Sequence, residues 1–325
     1  MTRTASAFWL NDSGKGEVRQ VTLAEPGPGE VEVRTLFSGV SRGTETLVFR
    51  GGVPENQYAV MRAPFQEGDF PWPVKYGYLN VGVVETGDLS GRTVFCLYPH
   101  QTRYVVPETS VTLVPDAVPA ERAVLAGTVE TAVNAVWDAR PLIGDRIAVV
   151  GGGMVGSSIA AVLATFPGAR VELVDADPAR EEIARKLGVG FALPGNALDG
   201  CDLVFHASAT EPGLTTALNL LAPEGRVIEL SWYGDRKISV PLGEFFHSRR
   251  LTIRSSQVGT VGRPDRSYAE RMAVALDLLA DDRFDALITG HSAFEELPDV
   301  MPRLADGEIP ALCHRIDYGQ AHVSE

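Results

Sequence analysis

The stretch from Arg146 to Asp175, RIAVVGGGMVGSSIAAVLATFPGARVELVD, constrains this chain more than any other. Ile147 to Val150 is an unbroken apolar run with β-branched residues, which predicts a strand buried on both faces. Gly151-Gly152-Gly153-Met154-Val155-Gly156 follows at once and fits G-x-G-x-x-G. Small and aliphatic residues then run at helical spacing to Thr165, Pro167-Gly168 stops them, and a second strand, Val171 to Val174, ends on Asp175. Each glycine has a job in such a unit. Gly151 lets the chain turn out of the strand, Gly153 leaves no Cβ in the way of a pyrophosphate, and Gly156 lets the helix pack against the sheet. The helix N-terminus, with Met154 and Val155 in its first turn, offers free N–H groups and partial positive charge to an anion. Asp175, 19 residues past Gly156, stands where a carboxylate accepts adenosine ribose hydroxyls and repels a 2′-phosphate. The cofactor expected from these residues is NAD(H). A glycine-rich turn without a ligand is the plain alternative, and strand, glycines, helix, strand and acid in register argue against it.

A chain of 325 residues has enough sequence for two cores. Its net charge of −13 argues against nucleic acid or an anionic membrane as the main partner. No apolar run is long enough to span a bilayer, and MTRTASAFWLNDSGKGE lacks the apolar core of a signal peptide. Cys96, Cys201 and Cys313 are widely spaced and suggest no disulfide framework, so a cytoplasmic location is expected.

Residues 1 to about 115 are rich in short strands and turns: Val18–Leu23, Gly29–Phe37, Val81–Thr86, Thr93–Leu97 and Thr102–Val106, punctuated by Pro26-Gly27-Pro28-Gly29 and Gly51-Gly52. This predicts a β-rich, barrel-like start. Ala120–Ala139 reads as one helix. Strands and helices then alternate from 147 to 230, the pattern of a doubly wound, mostly parallel α/β sheet. Farther on, Ile238–Leu242 and Leu251–Ser255 read as strands, Tyr268–Leu279 and Glu295–Leu304 as helices, and Ala311–Ile316 as the last strand.

With these features, and with the ending FDALIT, FEEL and DGE (Phe284–Thr289, Phe294–Leu297, Asp306–Glu308), the chain resembles the medium-chain dehydrogenase/reductase superfamily over its whole length. The resemblance implies a Rossmann NAD-binding domain at 129–262 and a GroES-like catalytic domain made of 1–128 with 263–325. It also implies three catalytic zinc ligands, and here all three positions differ. Ser41 or Arg42 falls where the first cysteine would be, Tyr78 where the histidine of a G-H-E motif would be, and Gly127 at the third. Tetrahedral zinc takes about four ligands, about three of them from the protein at a catalytic site. His100, His247, His291, His314 and His322 show no metal spacing either. The expectation is a zinc-independent branch with no metal site. The tracts SGVSRGTE, MRAPFQ and Tyr76-Gly77-Tyr78 are loosely similar to the dehydrogenases that oxidise a hydroxyethyl group on bacteriochlorophyllide.

The resemblance assigns roles to residues. Thr44 matches the hydroxyl that relays the alcohol proton in zinc members, and Glu45 the acid that orients the ligand histidine. Tyr78 becomes a proton donor or a packed core tyrosine. Arg42 contacts substrate or pyrophosphate, or is a surface arginine. Thr131 matches a residue that touches the nicotinamide, and Glu130, in the otherwise apolar LAGTVETAV, is a candidate catalytic acid or base. Arg180 matches a cation beside the adenosine ribose, while Ser208, Leu230 and Trp232 line the cofactor. His206 ends a strand at the carboxyl edge, where such sheets bind ligands, or is structural. The activity implied is interconversion of a secondary alcohol and a ketone by hydride transfer. Its rivals are an enoyl or quinone reductase of the same superfamily and a non-catalytic dinucleotide-binding protein. The partners expected are a small-molecule substrate and a second copy of the chain, paired through an edge near Lys237–Leu242 and Leu251–Ser255.

Overall fold

The computed structural model describes residues 3–319, so His322 and the outermost residues of the expected domains lie outside it. The chain divides into two compact units, 1–127 with 288–325 and 128–287.

The first unit opens with β1 (Thr4–Asp12), β2 (Lys15–Thr22) and β3 (Glu30–Ser41), and β3 runs directly into α1 (Arg42–Phe49). Then come β4 (Glu67–Gly68), β5 (Val74–Lys75), β6 (Asn80–Val84), β7 (Thr93–Cys96), β8 (Arg103–Pro107), β9 (Val111–Leu113) and α2 (Ala120–Ala123). The second unit holds α3 (Ala126–Ala139), β10 (Arg146–Val150), α4 (Met154–Leu163), β11 (Arg170–Val174), α5 (Arg180–Leu187) and β12 (Gly190–Ala192). It continues with β13 (Cys201–His206), α6 (Glu211–Asn219), β14 (Leu221–Glu229), β15 (Thr252–Ser255) and α7 (Tyr268–Leu278). The chain returns to the first unit with β16 (Ile288–Ala293), α8 (Leu297–Ala305) and β17 (Cys313–Asp317).

In the first unit, a four-stranded sheet ordered β2-β1-β5-β4 accompanies a seven-stranded sheet ordered β16-β17-β3-β6-β7-β9, with β8 also on β3. The long β3 is the spine. Val31 and Val33 point into a core with Val84, Val94 and Tyr104, while its far end places Ser38 and Ser41 next to β17. In the second unit six parallel strands run β12-β11-β10-β13-β14-β15, so chain order reverses between β10 and β13. Ligands bind such sheets at that reversal, beyond the carboxyl ends of the strands. Four of the five β10 residues are buried, and Gly156, Ala160 and Ala161 on α4 leave room for close packing. Each aliphatic side chain wholly buried in such a core stabilises by about 1.5–3 kcal/mol. The fold is therefore a Rossmann sheet plus a GroES-like β-rich unit.

Three expectations need correcting. Ala120–Ala139 is two helices, interrupted around Val124–Leu125. Ile238–Leu242 forms no strand, and β15 alone closes that side of the sheet. Residues 263–287 pack with the nucleotide-type unit, and the return begins at Ile288. Arg271 on α7 ties that segment to α3, its guanidinium buried against Glu130 and Asn134. Among the described residues no helix is long and apolar enough to cross a membrane.

Candidate functional site

Two clusters carry chemistry, one in each unit. In the second unit, β10 delivers the chain to Gly151 at φ +110°, and a Cβ there would lie 2.6 Å from the Ser208 amide nitrogen. A Cβ at Gly156 would lie 1.9 Å from the Gly151 carbonyl oxygen. Both positions require glycine for the protein's own packing. Gly153 does not, because a Cβ there would meet nothing within 4 Å. That open space sits at the cap of α4, which makes no side-chain cap bond, and the first-turn N–H groups of Met154, Val155 and Gly156 lack intrahelical acceptors. The cradle fits a pyrophosphate.

Asp175 follows β11 and is tied to this loop. Its Oδ2 accepts the Gly152 N–H at 2.5 Å and its Oδ1 accepts the Asp177 N–H at 2.8 Å. The carboxylate therefore braces the glycine loop. Arg180 is folded over the same loop, with Cγ 3.2 Å from a Cβ placed at Gly152 and Nε 3.4 Å from Asp177.

At the carboxyl edge His206 is wholly buried. Its Nδ1 lies 2.7 Å from Glu229 Oε2 and its Nε2 2.7 Å from Ser208 Oγ. Ser208 Oγ is also 2.9 Å from Thr210 Oγ1, the cap of α6. Glu229 further accepts the Ser231 N–H at 2.7 Å and the Tyr233 hydroxyl at 3.3 Å. Burial, helped by the Glu229 charge, pushes the Tyr233 phenol up to about 12. His206 thus fastens the loops after β13 and β14. Leu230 and Trp232 are half-buried in the second of those loops.

Glu130, the candidate acid or base of α3, has a buried partner. It is buried in α3, and Arg271 Nε reaches its Oε1 at 3.0 Å. Arg271 also donates to Asn134 Oδ1 at 2.5 Å and to the Val258 carbonyl at 2.7 Å. This acid clamps α3 to α7, and burial raises its pKa against the pull of Arg271. Thr131, the next residue, is half-exposed on α3.

The cluster in the first unit forms where β3 turns into α1. Glu45 reaches back so that Oε1 accepts the Ser41 N–H at 2.7 Å, and its Oε2 lies 2.9 Å from His100 Nε2. Beyond the imidazole, His100 Nδ1 is 2.7 Å from Ser38 Oγ, which is 2.9 Å from the Tyr318 hydroxyl. Glu45, His100 and Ser38 are all at most 3% exposed. Gly77 passes over the imidazole at φ +130°, where a Cβ would stand 3.0 Å from His100 Cδ2. The next residue, Tyr78, has the side-chain hydroxyls of Ser41 and Thr44 near its phenol. Burial first, then the Glu45 charge, pushes its phenol up to about 12, against the pull of those two hydroxyls. Tyr78 is therefore a neutral hydroxyl at neutral pH, able to donate and accept.

The structure brings Tyr78, Thr44 and Glu45 together and leaves Glu130 in the other cluster. It adds His100, Ser38 and Tyr318, which the sequence offered no signal for. Arg42 is half-exposed beside them. The residues do not fit a catalytic zinc. Ser41 and Tyr78 offer hydroxyls, and a side chain at Gly127 would start 2.6 Å from Leu79 Cδ2. Among the described residues no three His, Cys, Asp or Glu side chains are grouped to hold a metal ion.

The architecture is that of the alcohol dehydrogenase-like proteins. L-idonate 5-dehydrogenase from Escherichia coli K-12 superposes with a TM-score of 0.81 at 15% identity, covering 98% of this chain and 99% of that one. Acetophenone reductase from Geotrichum candidum, solved in complex with NAD, gives 0.78 at 18%, covering 98% of each. In sequence, D-guloside 3-dehydrogenase of Escherichia coli K12 is 25% identical over 309 residues, 85% of this chain and 86% of its own. D-xylulose reductase A of Aspergillus oryzae is 24% identical over 223 residues, 63% and 60% respectively. No family model matches the chain.

Proposed function

We propose that the chain is a medium-chain dehydrogenase/reductase that interconverts a secondary alcohol and a ketone with NAD(H), and does so without zinc. The observation that carries this reading is a neutral Tyr78 hydroxyl beside Thr44 and Ser41, at a position where zinc-dependent members keep a ligand, next to a buried Glu45–His100 pair. When bound, the dinucleotide supplies or takes up the hydride. The chain holds it through the N–H groups of Met154, Val155 and Gly156 and through Asp175, whose charge disfavours a 2′-phosphate. Tyr78 and Thr44 donate to the substrate oxygen as negative charge develops on it, and so lower the barrier to reduction. The same hydroxyls accept the proton when the reaction runs toward the ketone.

The substrate class follows the curated relatives, whose names place them on a glycoside and on a pentulose. We assign a hydroxyl-rich secondary alcohol, with a hydroxyethyl-bearing tetrapyrrole as the second arm of the assay. A homodimer through β15 fits the exposed Leu242 and Phe245, at 50% and 43%, that precede this edge strand. The test is turnover with NAD⁺ and with NADP⁺ on glycosides, pentitols and hydroxyethyl tetrapyrroles, before and after chelation. Activity that disappears with stoichiometric zinc would overturn the metal-free reading, and reduction of enones alone with NADPH would move the chain to the reductases.

A further inference from the structure

A hydroxyl that donates to a developing oxyanion has to be aimed, and a misplacement of about 1 Å can cost a hundredfold in rate. Two stretches of main chain hold Tyr78, one on each side. On its carboxyl side Leu79 is fixed to the spine strand, because its carbonyl accepts the Gly39 N–H at 2.8 Å and its side chain packs over Gly39. On its amino side the chain passes through Gly77, which lies between β5 and β6 and rests against His100. We propose that His100 is a positioning residue of the site: its imidazole is the seat of the Gly77 turn, and by fixing that turn it aims the Tyr78 phenol.

The seat is close. Gly77 is at φ +130°, and a Cβ there would stand 3.0 Å from His100 Cδ2, 3.1 Å from its Nε2 and 3.4 Å from its backbone nitrogen. Glycine lets the main chain come this near the ring in a conformation that other residues rarely adopt. The ring is also held against swivelling. Its Nε2 is 2.9 Å from Glu45 Oε2 and its Nδ1 is 2.7 Å from Ser38 Oγ, so rotation about the Cβ–Cγ bond breaks both contacts. His100, Glu45 and Ser38 are all buried, so breaking them would strand polar atoms away from water. The backbone is tied as well, since the His100 carbonyl accepts the Phe8 N–H of β1 at 2.9 Å. The Phe8 ring meets the imidazole edge-on, with centroids 6.5 Å apart.

Glu45 makes the same brace serve the other side of the phenol. Its Oε1 accepts the Ser41 N–H at 2.7 Å, and the Ser41 and Thr44 hydroxyls lie near the Tyr78 phenol. One carboxylate thus fixes the Ser41 amide and the imidazole beneath Gly77 together. Tyr76 supports the turn from a third direction. Its buried ring meets Tyr78 edge to face, with centroids 6.0 Å apart at 89°, and Phe70 backs it at 5.7 Å. The brace acts through geometry alone, without a proton moving along it.

The inference rests on the proposed role of Tyr78, so the first measurement uses no substrate. In the full chain labelled with carbon-13 at tyrosine Cζ, the Tyr78 resonance is assigned by its loss in Tyr78→Phe, and its position reports the hydrogen bonding of the phenol. His100→Gln keeps a donor for Glu45 and an acceptor for Ser38 but removes the flat ring. The Tyr78 resonance is expected to move toward that of a solvent-exposed tyrosine. An unmoved resonance would overturn the proposal whatever the enzyme turns over. The second measurement is a double-mutant cycle in turnover. His100→Gln is expected to lower kcat by about tenfold to a hundredfold while KM stays within about twofold. Added to Tyr78→Phe, where the hydroxyl is already gone, it is expected to cost less than about twofold more. Equal losses in the two backgrounds would refute the proposal, because His100 would then act apart from Tyr78, and the activity itself would stand. Gly77→Ala disturbs the same contact from the other side and leaves His100, Glu45 and Ser38 in place. It is expected to repeat the resonance shift and the non-additivity, and it carries the test if His100→Gln does not fold. Parent-level kcat and an unmoved resonance in Gly77→Ala would count against the seat in the same way.

Discussion

Removal of the Arg271 side-chain charge tests whether Glu130 is a clamp or a catalyst. In Arg271→Met the buried Glu130 loses the cation 3.0 Å away, and the Val258 carbonyl and Asn134 Oδ1 each lose a donor. Breaking one side of a buried ion pair costs about 3–5 kcal/mol. Each orphaned acceptor adds about 1–3 kcal/mol if it stays dry, although Asn134 Oδ1 keeps the Gly262 N–H at 2.8 Å. These terms overlap because the same relaxation serves all of them, so about 4 kcal/mol is expected. Urea unfolding measures the total, and hydrogen exchange of the α3 and α7 amides localises it. Adding Glu130→Gln to Arg271→Met removes the stranded charge and should restore about 2 kcal/mol. Glu130→Gln alone should reduce stability while leaving kcat within about twofold of the parent. The reasoning fails if Arg271→Met unfolds within about 1 kcal/mol of the parent. It fails equally if Glu130→Gln loses about a hundredfold in kcat at full stability, as a catalytic acid would.

Three other outcomes are expected. NAD(H) should bind at least about tenfold tighter than NADP(H), about 1.4 kcal/mol, by nicotinamide fluorescence titration. Asp175→Ser should narrow that gap and also weaken NAD(H), because the carboxylate braces Gly152. Tyr78→Phe should lower kcat about a hundredfold with unchanged melting and NAD(H) affinity, and Thr44→Val serves as its control, since an equal loss means one shared relay. Parent-level turnover in Tyr78→Phe would reduce the residue to packing. Lys75, 1% exposed beside Gln101 and Glu67, has its ammonium pKa lowered by burial from 10.5. The unfolded chain then binds more protons between the two values, so stability should rise with pH through that window. Denaturation of Lys75→Met should show that slope flattened, and an unchanged slope would assign it elsewhere.

What could be read in the sequence was local. The glycine loop, α4 and Asp175 lie within 30 consecutive residues, and each does its work by backbone geometry, so spacing alone places them. The Glu45–His100 pair joins residues 55 apart, brought together by the path of β3, Gly77 and the turn before β8. Nothing periodic marks such a meeting. Arg271 misled for another reason. An arginine on an amphipathic helix reads as solvent-facing, and only its buried partners on α3 move α7 into the nucleotide-type unit. Ile238–Leu242 alternates like a strand but carries Pro241, which cannot donate to a ladder.

The packing of Leu79 against Gly127 leaves no room for a side chain at 127. A ligand at 127 must first displace the leucine methyl 2.6 Å from its Cβ, yet Leu79 is wholly buried, also lines Gly39, and its carbonyl accepts the Gly39 N–H of the spine strand. A histidine at 78 would find the orienting acid already engaged by His100. Building a metal site here would therefore take concerted changes at 78, 79 and 127 rather than one substitution at a time.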